Sequence, residues 1–271
     1  MMLRDCRHAA GALCLSLALA GSAAAADLVP YRAVYSLALG TAKPGRGVVG
    51  ATGKMTIDTG QTCDGWTTEQ HYTLAVQNSD ADGLDMASNF VSWEAKDGLR
   101  FHFFERDLRN GAQTEEDSGE AALDGPGKGG TVRFTRPEGK HLTLPPGVVF
   151  PMAQTALIID RAKANDSFFA VKVFDGTSDD DAATVTAVIG AALPAGRGTA
   201  AARLKSPLLA RPSWPVHLAF FSSEASADVP DFELDMRLRD NGVAGDMVLD
   251  YGDYSVHAVL QQIQALPAPN C

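Results

Sequence analysis

FELDMRLR, residues 232–239, is the stretch that decides the fold class of this chain. Its even-numbered residues are all apolar and its odd-numbered residues are all charged, which is the two-residue period of a strand with one buried face and one wet face. Asn241-Gly242 follows, a pair that favours a tight hairpin turn, and residues 247–251 (MVLDY) supply a second strand. The segment therefore predicts an antiparallel β-hairpin.

Similar strand patterns, punctuated by glycine and asparagine, recur over most of the chain. We predict further strands at residues 31–39, 48–57 and 67–76, a hairpin over 91–106 that turns at Asp97-Gly98, and a long final strand over 254–266. These patterns predict a chain whose secondary structure is dominated by antiparallel β-strands.

Helical spacing is confined to one segment. Residues 152–164 follow Phe150-Pro151 and end before Asn165, which predicts a short helix packed on the sheet. Residues 112–128 and 191–203 are rich in glycine, alanine and charge, and we expect exposed loops there. No repeat or linker divides the sequence that follows the first 26 residues.

The first 26 residues have the organisation of a secretory signal peptide. Arg4 and Arg7 precede an apolar run over residues 9–20, and a small-residue segment then ends in Ala24-Ala25-Ala26. The run is too short to span a bilayer, and no other stretch approaches about twenty apolar residues. We therefore expect cleavage near Ala26, a periplasmic location, and a mature domain over residues 27–271 without a transmembrane segment.

Two of the four cysteines, Cys6 and Cys14, lie in this predicted signal. Leu13 stands before Cys14, where a lipid-attachment signal has a small residue, so a lipoprotein is not expected. Because the periplasm is oxidising, the remaining pair, Cys63 and Cys271, is predicted to form a structural disulfide. In the chain-entropy model, a bridge that closes about 200 residues stabilises the fold by roughly 5 kcal/mol.

The chain is acidic, with a formal net charge of −10. Loss of residues 1–26 removes two arginines and one aspartate, which brings the charge to −11. An acidic surface disfavours nucleic acid and anionic lipid headgroups as partners.

Sequence motifs of common hydrolases are absent. The chain has no Gly-x-Ser-x-Gly, Ser-x-x-Lys or His-Glu-x-x-His pattern. His102 with Glu105 and Arg106 is the best candidate for a polar site, but an alternating strand accounts for these residues without chemistry. The other histidines after the signal are far apart in sequence: His71, His141, His217 and His257. We therefore predict no catalytic residue, no cofactor and no metal ligand, which makes the protein non-enzymatic.

Two further features are candidates for binding. Residues 175–181 (DGTSDDD) carry oxygen ligands of the kind that calcium prefers, but they lack the order of an EF-hand loop, and a solvated turn between two strands is favoured. Several aromatic residues either line a ligand cavity in a curved sheet or form the core. They are Trp66, Trp93, Trp214, Phe220 and Phe221.

Short motifs along the whole mature chain carry a resemblance to a known family. In order, they are YRAVY (31–35), ATGKM (51–55), CDGW (63–66), LPPG with FP (144–151), FDG (174–176), SWPV (213–216), and NGV with LDYGDY (241–254). Together they resemble the EipB-like cell-envelope integrity family of periplasmic proteins, long catalogued as a domain of unknown function.

The resemblance implies a single antiparallel β-spiral, like an open barrel, with one short packed helix. It also implies a disulfide between a cysteine after the first strands and one near the C-terminus, which Cys63 and Cys271 match, although here the cysteine is the last residue. In function, it implies a non-enzymatic role in envelope integrity and cell division, with a periplasmic tetratricopeptide-repeat protein as a partner. No catalytic residue carries over from the family.

Three hypotheses of function follow, in order of preference. The first is an envelope-integrity protein that acts through protein–protein interaction. The second is a periplasmic carrier or chaperone for a lipid or lipoprotein, sheltered by an apolar concave face. The third is an unrecognised envelope hydrolase, which requires carboxylates and a histidine to converge in a cleft.

Overall fold

The computed structural model describes residues 27–79, 82–177, 181–222 and 229–271, so the predicted signal peptide lies outside the described residues. Within them, fifteen strands form one sheet. The strands are β1 Tyr31–Ala42, β2 Val48–Gln61, β3 Gly65–Asn78, β4 Leu84–Ala95, β5 Arg100–Arg109, β6 Ala112–Leu123, β7 Gly130–Arg136, β8 His141–Leu144, β9 Val148–Val149, β10 Phe168–Val173, β11 Ala183–Ile189, β12 Ser213–Phe221, β13 Phe232–Arg239, β14 Ala244–Asp250 and β15 Tyr254–Ala265.

The strands form two antiparallel meanders that meet in the middle of the sheet. The first meander runs from β1 to β8, and the second runs from β10 to β15. Strand β15 pairs with β1, so the first and last strands are neighbours. The edge strands β8 and β9 are consecutive in sequence, and β9 pairs in parallel with β10.

The sheet curls until its two edge regions share a core. Leu144 of β8 and Val148 of β9 belong to one buried cluster, together with phenylalanines of β5 and β7. Phe101 of β5 stacks on Phe150, which follows β9, with ring centroids 5.1 Å apart. The predicted all-β, antiparallel and open-barrel-like architecture is therefore confirmed.

Helix α1, Pro151–Lys163, connects the two meanders and packs on the inner face of the second. Ile158, Ile159 and Ala162 lie in one cluster with inner residues of β10 to β13. The predicted helix over residues 152–164 is thus confirmed. Among the described residues, no helix is long and apolar enough to cross a membrane.

A disulfide joins Cys63, in the turn between β2 and β3, to Cys271 at the end of the chain. The tail after β15 starts alongside the beginning of β1, since the Leu266 backbone N–H donates to the Pro30 carbonyl. The bridge therefore fastens the segment after the second meander to the second hairpin of the first meander, at the turn between β2 and β3.

The prediction of an exposed loop over residues 112–128 is wrong, because β6 fills most of this segment. Its inner-face positions Asp117, Gly119 and Ala121 are small or acidic, so only Leu123 at the end of the strand shows the apolar face. Gly119 is required here, since a Cβ would lie 3.0 Å from the Phe103 ring and 2.4 Å from the Arg133 carbonyl oxygen.

The prediction of a loop over residues 191–203 is also wrong at its end. Helix α2, Thr199–Leu204, and a 3-10 helix, Pro207–Leu209, follow there. Ala200 and Leu209 are buried in the same cluster as β1, β14 and β15. Arg203 of α2 donates to the Leu260 carbonyl in β15 and pairs with Asp246 of β14, so the short helix bridges these two strands.

Candidate functional site

A cavity of about 440 Å³ opens on the inner face of the sheet, and we call it the tyrosine pocket. Strands β2 to β5 form one side, and the chain from β13 to the start of β15 forms the other. The residues that define its character are Tyr72, Glu105, Asp107, Phe232, Tyr251 and Tyr254. The pocket therefore lies where the two meanders face each other.

An aromatic wall joins the two sides of the pocket. Tyr72 of β3 and Tyr251, after β14, place their hydroxyl oxygens 3.0 Å apart. The Tyr251 ring centroid lies 5.3 Å from that of Tyr254 and 5.3 Å from that of Phe232. Burial raises the pKa of the Tyr72 and Tyr251 phenols, so both remain neutral at physiological pH.

The turn between β14 and β15 fixes two of these tyrosines. The Tyr251 backbone N–H donates to the Tyr254 carbonyl, which closes a tight turn over Gly252-Asp253. Gly252 has a φ of +81°, a left-handed conformation that glycine adopts without the cost a side chain would bring. The turn holds the Tyr251 and Tyr254 rings in their stacked arrangement.

An acidic wall faces the aromatic one. The inner-face positions of β5 are Phe101, Phe103, Glu105 and Asp107, so the strand changes from apolar to acidic halfway along. Glu105 is 8% exposed, and its Oε1 accepts a hydrogen bond of 2.9 Å from Ser88 Oγ. Glu105 Oε2 and Asp107 Oδ1 are buried and have no hydrogen-bond partner within the described ranges.

Burial raises the pKa of Glu105 to about 8. The hydrogen bond from Ser88 opposes this change, whereas the negative charges of Asp107, Asp175 and Glu115 add to it. The carboxyl group is therefore mostly protonated at neutral pH while the pocket is empty.

The histidines predicted as isolated lie outside this pocket. His102 and Arg106 are on the outer face of β5, opposite to Glu105, so the polar cluster considered from the sequence does not form. His71 contacts Glu69 and Asn89, and His217 contacts Glu233 and Asp235, all on the exposed face. The exposed histidines His141 and His257 lie on β8 and β15. Over the described ranges, no group of three or more His, Cys, Asp and Glu is arranged to hold a metal ion.

The aromatic residues considered from the sequence are divided between core and surface. Trp214 is buried in the core beside α1, and Trp66 is half-buried at the start of β3. Trp93 packs against His102, with centroids 5.4 Å apart. Phe220 and Phe221 line a second cavity of about 450 Å³. None of these five lines the tyrosine pocket.

The acidic run over residues 175–181 is described only in part, because residues 178–180 lie outside the described residues. Asp175 Oδ1 accepts hydrogen bonds from the backbone N–H and the hydroxyl of Thr177, as in an Asx turn. Thr177 itself lines the tyrosine pocket.

Sequence reasoning missed Glu105 and Asp107 as inner-face residues. The sequence contained the signal, since Glu105 and Asp107 continue the alternate positions of Phe101 and Phe103 in RFHFFERDLR and so lie on the same face of the strand. The tyrosines carried no comparable local signal, because Tyr72 and Tyr251 are 179 residues apart.

Comparisons with known proteins agree with this architecture. A family model described as EipB-like matches residues 22–267. The cell envelope integrity protein EipB of Brucella abortus (strain 2308) is 29% identical over 250 residues, which is 90% of this chain and 86% of that protein. A crystal structure from Brucella abortus, described as a beta-barrel-like protein of a domain of unknown function, superposes with a TM-score of 0.82 at 26% identity, over 90% of this chain and all of that one. The chain therefore belongs to the EipB-like family.

Proposed function

We propose that this protein supports cell-envelope integrity from the periplasm by reversible binding in the tyrosine pocket, without catalysis. The name of the Brucella relative, a cell envelope integrity protein, supports the biological role. The tyrosine pocket carries the molecular part of the proposal, because it combines a cavity of about 440 Å³, an aromatic wall and a few polar groups that line it.

Binding is favoured over hydrolysis by the chemistry of the lining. Ser88 donates its hydroxyl hydrogen to Glu105, but a carboxyl with a pKa of about 8 is mostly protonated at neutral pH and is a poor acceptor for the proton of a nucleophile. No histidine of the described chain lines the pocket. The third hypothesis, an envelope hydrolase, therefore has less support than binding.

A protein partner remains part of the proposal, as the interaction hypothesis requires. We infer that the bound state contacts a second periplasmic protein, with a tetratricopeptide-repeat protein as the first candidate and cell division as the process served; family membership is the support. The carrier hypothesis has a specific observation in its favour, since Met55, Met86 and Leu249 give the pocket an apolar floor suited to part of a lipid.

Complementation in the native host tests the role of the pocket. The gene is deleted, and the deletion strain is complemented with the wild-type gene, with Tyr254→Ala or with Phe168→Ala. Survival of each strain is then scored on plates that contain a detergent or a cell-wall antibiotic. Phe168 is 60% exposed and lies outside the pocket, so Phe168→Ala is the matched control. Periplasmic protein levels are measured for every strain, so that loss of folding is separated from loss of function.

We expect the wild type and Phe168→Ala to restore growth, and Tyr254→Ala to fail at an equal protein level. Full rescue by Tyr254→Ala refutes the role of the pocket, and a deletion strain with an intact envelope refutes the role of the protein. Native mass spectrometry of the tagged protein, captured gently from its own periplasm, then distinguishes a stoichiometric protein partner from a lipid adduct.

A further inference from the structure

We propose that the tyrosine pocket takes an organic ammonium group, held between the carboxyl groups of Glu105 and Asp107 and the ring faces of the aromatic wall. The inference rests on the proposed function only in assigning this pocket as the binding site. It adds the chemical class of the ligand.

The first argument is the cost of the acidic wall. A buried carboxylate oxygen without a hydrogen-bond donor loses its hydration with no compensation, and such groups in native proteins call for an explanation. Here two such oxygens, Glu105 Oε2 and Asp107 Oδ1, lie two residues apart on the same face of β5. A cation that carries N–H or polarised C–H groups brings donors to both oxygens and, unlike a neutral donor, also compensates the charge of the ionised carboxylates.

The second argument is the opposite wall, which independently favours a cation. The faces of aromatic rings carry negative electrostatic potential, and clusters of them bind ammonium groups. Phe232, Tyr251 and Tyr254 form such a cluster, with neighbouring centroids 5.3 Å apart. An ammonium ligand therefore meets favourable electrostatics on both sides of the pocket.

The remaining charges do not neutralise the acidic wall. Arg109 is the cationic residue of the lining, but it is exposed at the end of β5, its charge acts on Tyr254, and it forms no ion pair with Glu105 or Asp107 within the described residues. Asp175 and Glu115 add negative potential at Glu105. An anionic ligand would be repelled, and a neutral one could donate a hydrogen bond but would leave the negative charge of the ionised carboxylates uncompensated.

Proton release provides a signature of this chemistry. Binding of a cation favours the ionised form of Glu105, whereas in the empty pocket the carboxyl has a pKa of about 8. An alkylammonium keeps its charge up to about pH 10. Its affinity is therefore expected to rise by about tenfold between pH 7 and pH 9, as the free carboxyl ionises.

Calorimetry with hexylammonium, and with hexan-1-ol as the neutral analogue of equal chain length, tests the inference on the whole protein purified from the periplasm. Methionine-methyl NMR locates the ligand, because Met55 and Met86 line the pocket and Met152, on α1, does not. We expect hexylammonium to bind at least ten times more tightly than hexan-1-ol, and to shift Met55 and Met86 while Met152 stays unchanged.

Variants then assign the binding to the acidic wall. Glu105→Gln keeps an acceptor for Ser88 and removes the charge, and we expect it to weaken hexylammonium at least tenfold with hexan-1-ol unaffected. Glu120→Gln, on the outer face of β6, is the matched control and should bind as the wild type does. If Glu105→Gln does not fold, Asp107→Asn serves as the second variant. Equal binding of the two ligands, or unchanged binding by the acidic-wall variant, overturns the inference.

Two further probes identify the source of the ammonium group. Binding to phosphatidylethanolamine vesicles, and not to phosphatidylglycerol vesicles, supports a lipid headgroup; binding of free choline or ethanolamine alone supports a soluble amine. Failure of every ammonium probe overturns the ligand class, even where Tyr254→Ala fails in complementation. Conversely, specific ammonium binding with full rescue by Tyr254→Ala overturns the proposed function and leaves the ligand class standing.

Discussion

Glu94 of β4 caps helix α1, because its carboxylate accepts the backbone N–H of Met152 at 2.7 Å. The other carboxylate oxygen accepts the N–H of Ala153 at 2.8 Å. Phe150 precedes the helix and supplies no side-chain cap, so a residue from the first meander satisfies donors at the start of a helix that packs on the second. Glu94 is 2% exposed, and the contact lies in the interior.

Glu94→Ala is expected to destabilise the fold by about 2–3 kcal/mol, because it leaves two buried N–H donors without an acceptor. Glu94→Gln retains one acceptor oxygen and should cost less. The free energy of unfolding from urea denaturation is the measurement, with Glu120→Ala as the surface control, for which about 0.5 kcal/mol or less is expected. A loss no larger for Glu94→Ala than for the control would show that water replaces the cap.

Stability is expected to fall as the pH rises from about 5 to 9. Burial raises the pKa of Glu94 to about 7 and that of Glu105 to about 8, so the folded protein binds protons at pH values where the unfolded chain has released them. The stability that these two protonated carboxyl groups contribute is complete below the pKa of an unfolded glutamate, near 4.3. It is lost as the pH rises through the pKa values of the folded protein. Above pH 7 the free energy of unfolding is expected to fall by about 1 kcal/mol more, mainly because Glu105 ionises.

Urea denaturation at pH 7 and pH 9 of the wild type and Glu105→Gln checks this assignment. The free energy of unfolding of the variant should change less between pH 7 and pH 9, since glutamine does not titrate. An equal change in the wild type and the variant would mean that Glu105 ionises in the folded protein near its ordinary pKa.

Replacement of both Cys63 and Cys271 by serine is expected to lower the melting temperature. In the chain-entropy model, the bridge, with a sequence separation of 208, stabilises by roughly 5 kcal/mol. Calorimetry with and without reductant is the measurement: reductant should lower the melting temperature of the wild type and leave the double variant unchanged. Free thiols at these positions in nonreducing peptide maps of periplasmic material would contradict the bridge itself.

Arg239 provides a test of an uncompensated buried charge. Its side chain is fully buried, Nε donates to the Leu209 carbonyl at 3.2 Å, and neither Nη atom has a hydrogen-bond partner in the described part of the chain. Burial lowers the pKa of this guanidinium, and Arg237 adds to the effect. Because an apolar residue of similar length avoids the desolvation cost, Arg239→Met should leave the melting temperature unchanged or raise it. A large decrease would reveal a compensating group at the Nη atoms.

The strands that were predicted correctly are those with one clearly apolar face. FELDMRLR is the best case, since β13 covers the same eight residues, although Arg239 of the predicted wet face is buried beyond a register irregularity at Met236/Leu238. Strand β6 was missed because the Arg133 carbonyl oxygen and the Phe103 ring occupy the space that a side chain at Gly119 would need, which leaves Ala121 and Leu123 as a weak apolar signal. The disulfide could be predicted because two cysteines remain after the predicted signal and the predicted compartment is oxidising. The tyrosine pocket could not, since it forms only where distant strands face each other across a curled sheet.

The pairing of β1 with β15 also constrains the order in which the molecule can be completed. Strand β1 emerges first during synthesis, and one of its two edges has no partner until residues near the C-terminus are available. An unpaired strand edge is a template for aggregation, and contacts this far apart in sequence form slowly. Until β15 is available, that edge of β1 stays open, so the last strand to be made closes the middle of the sheet.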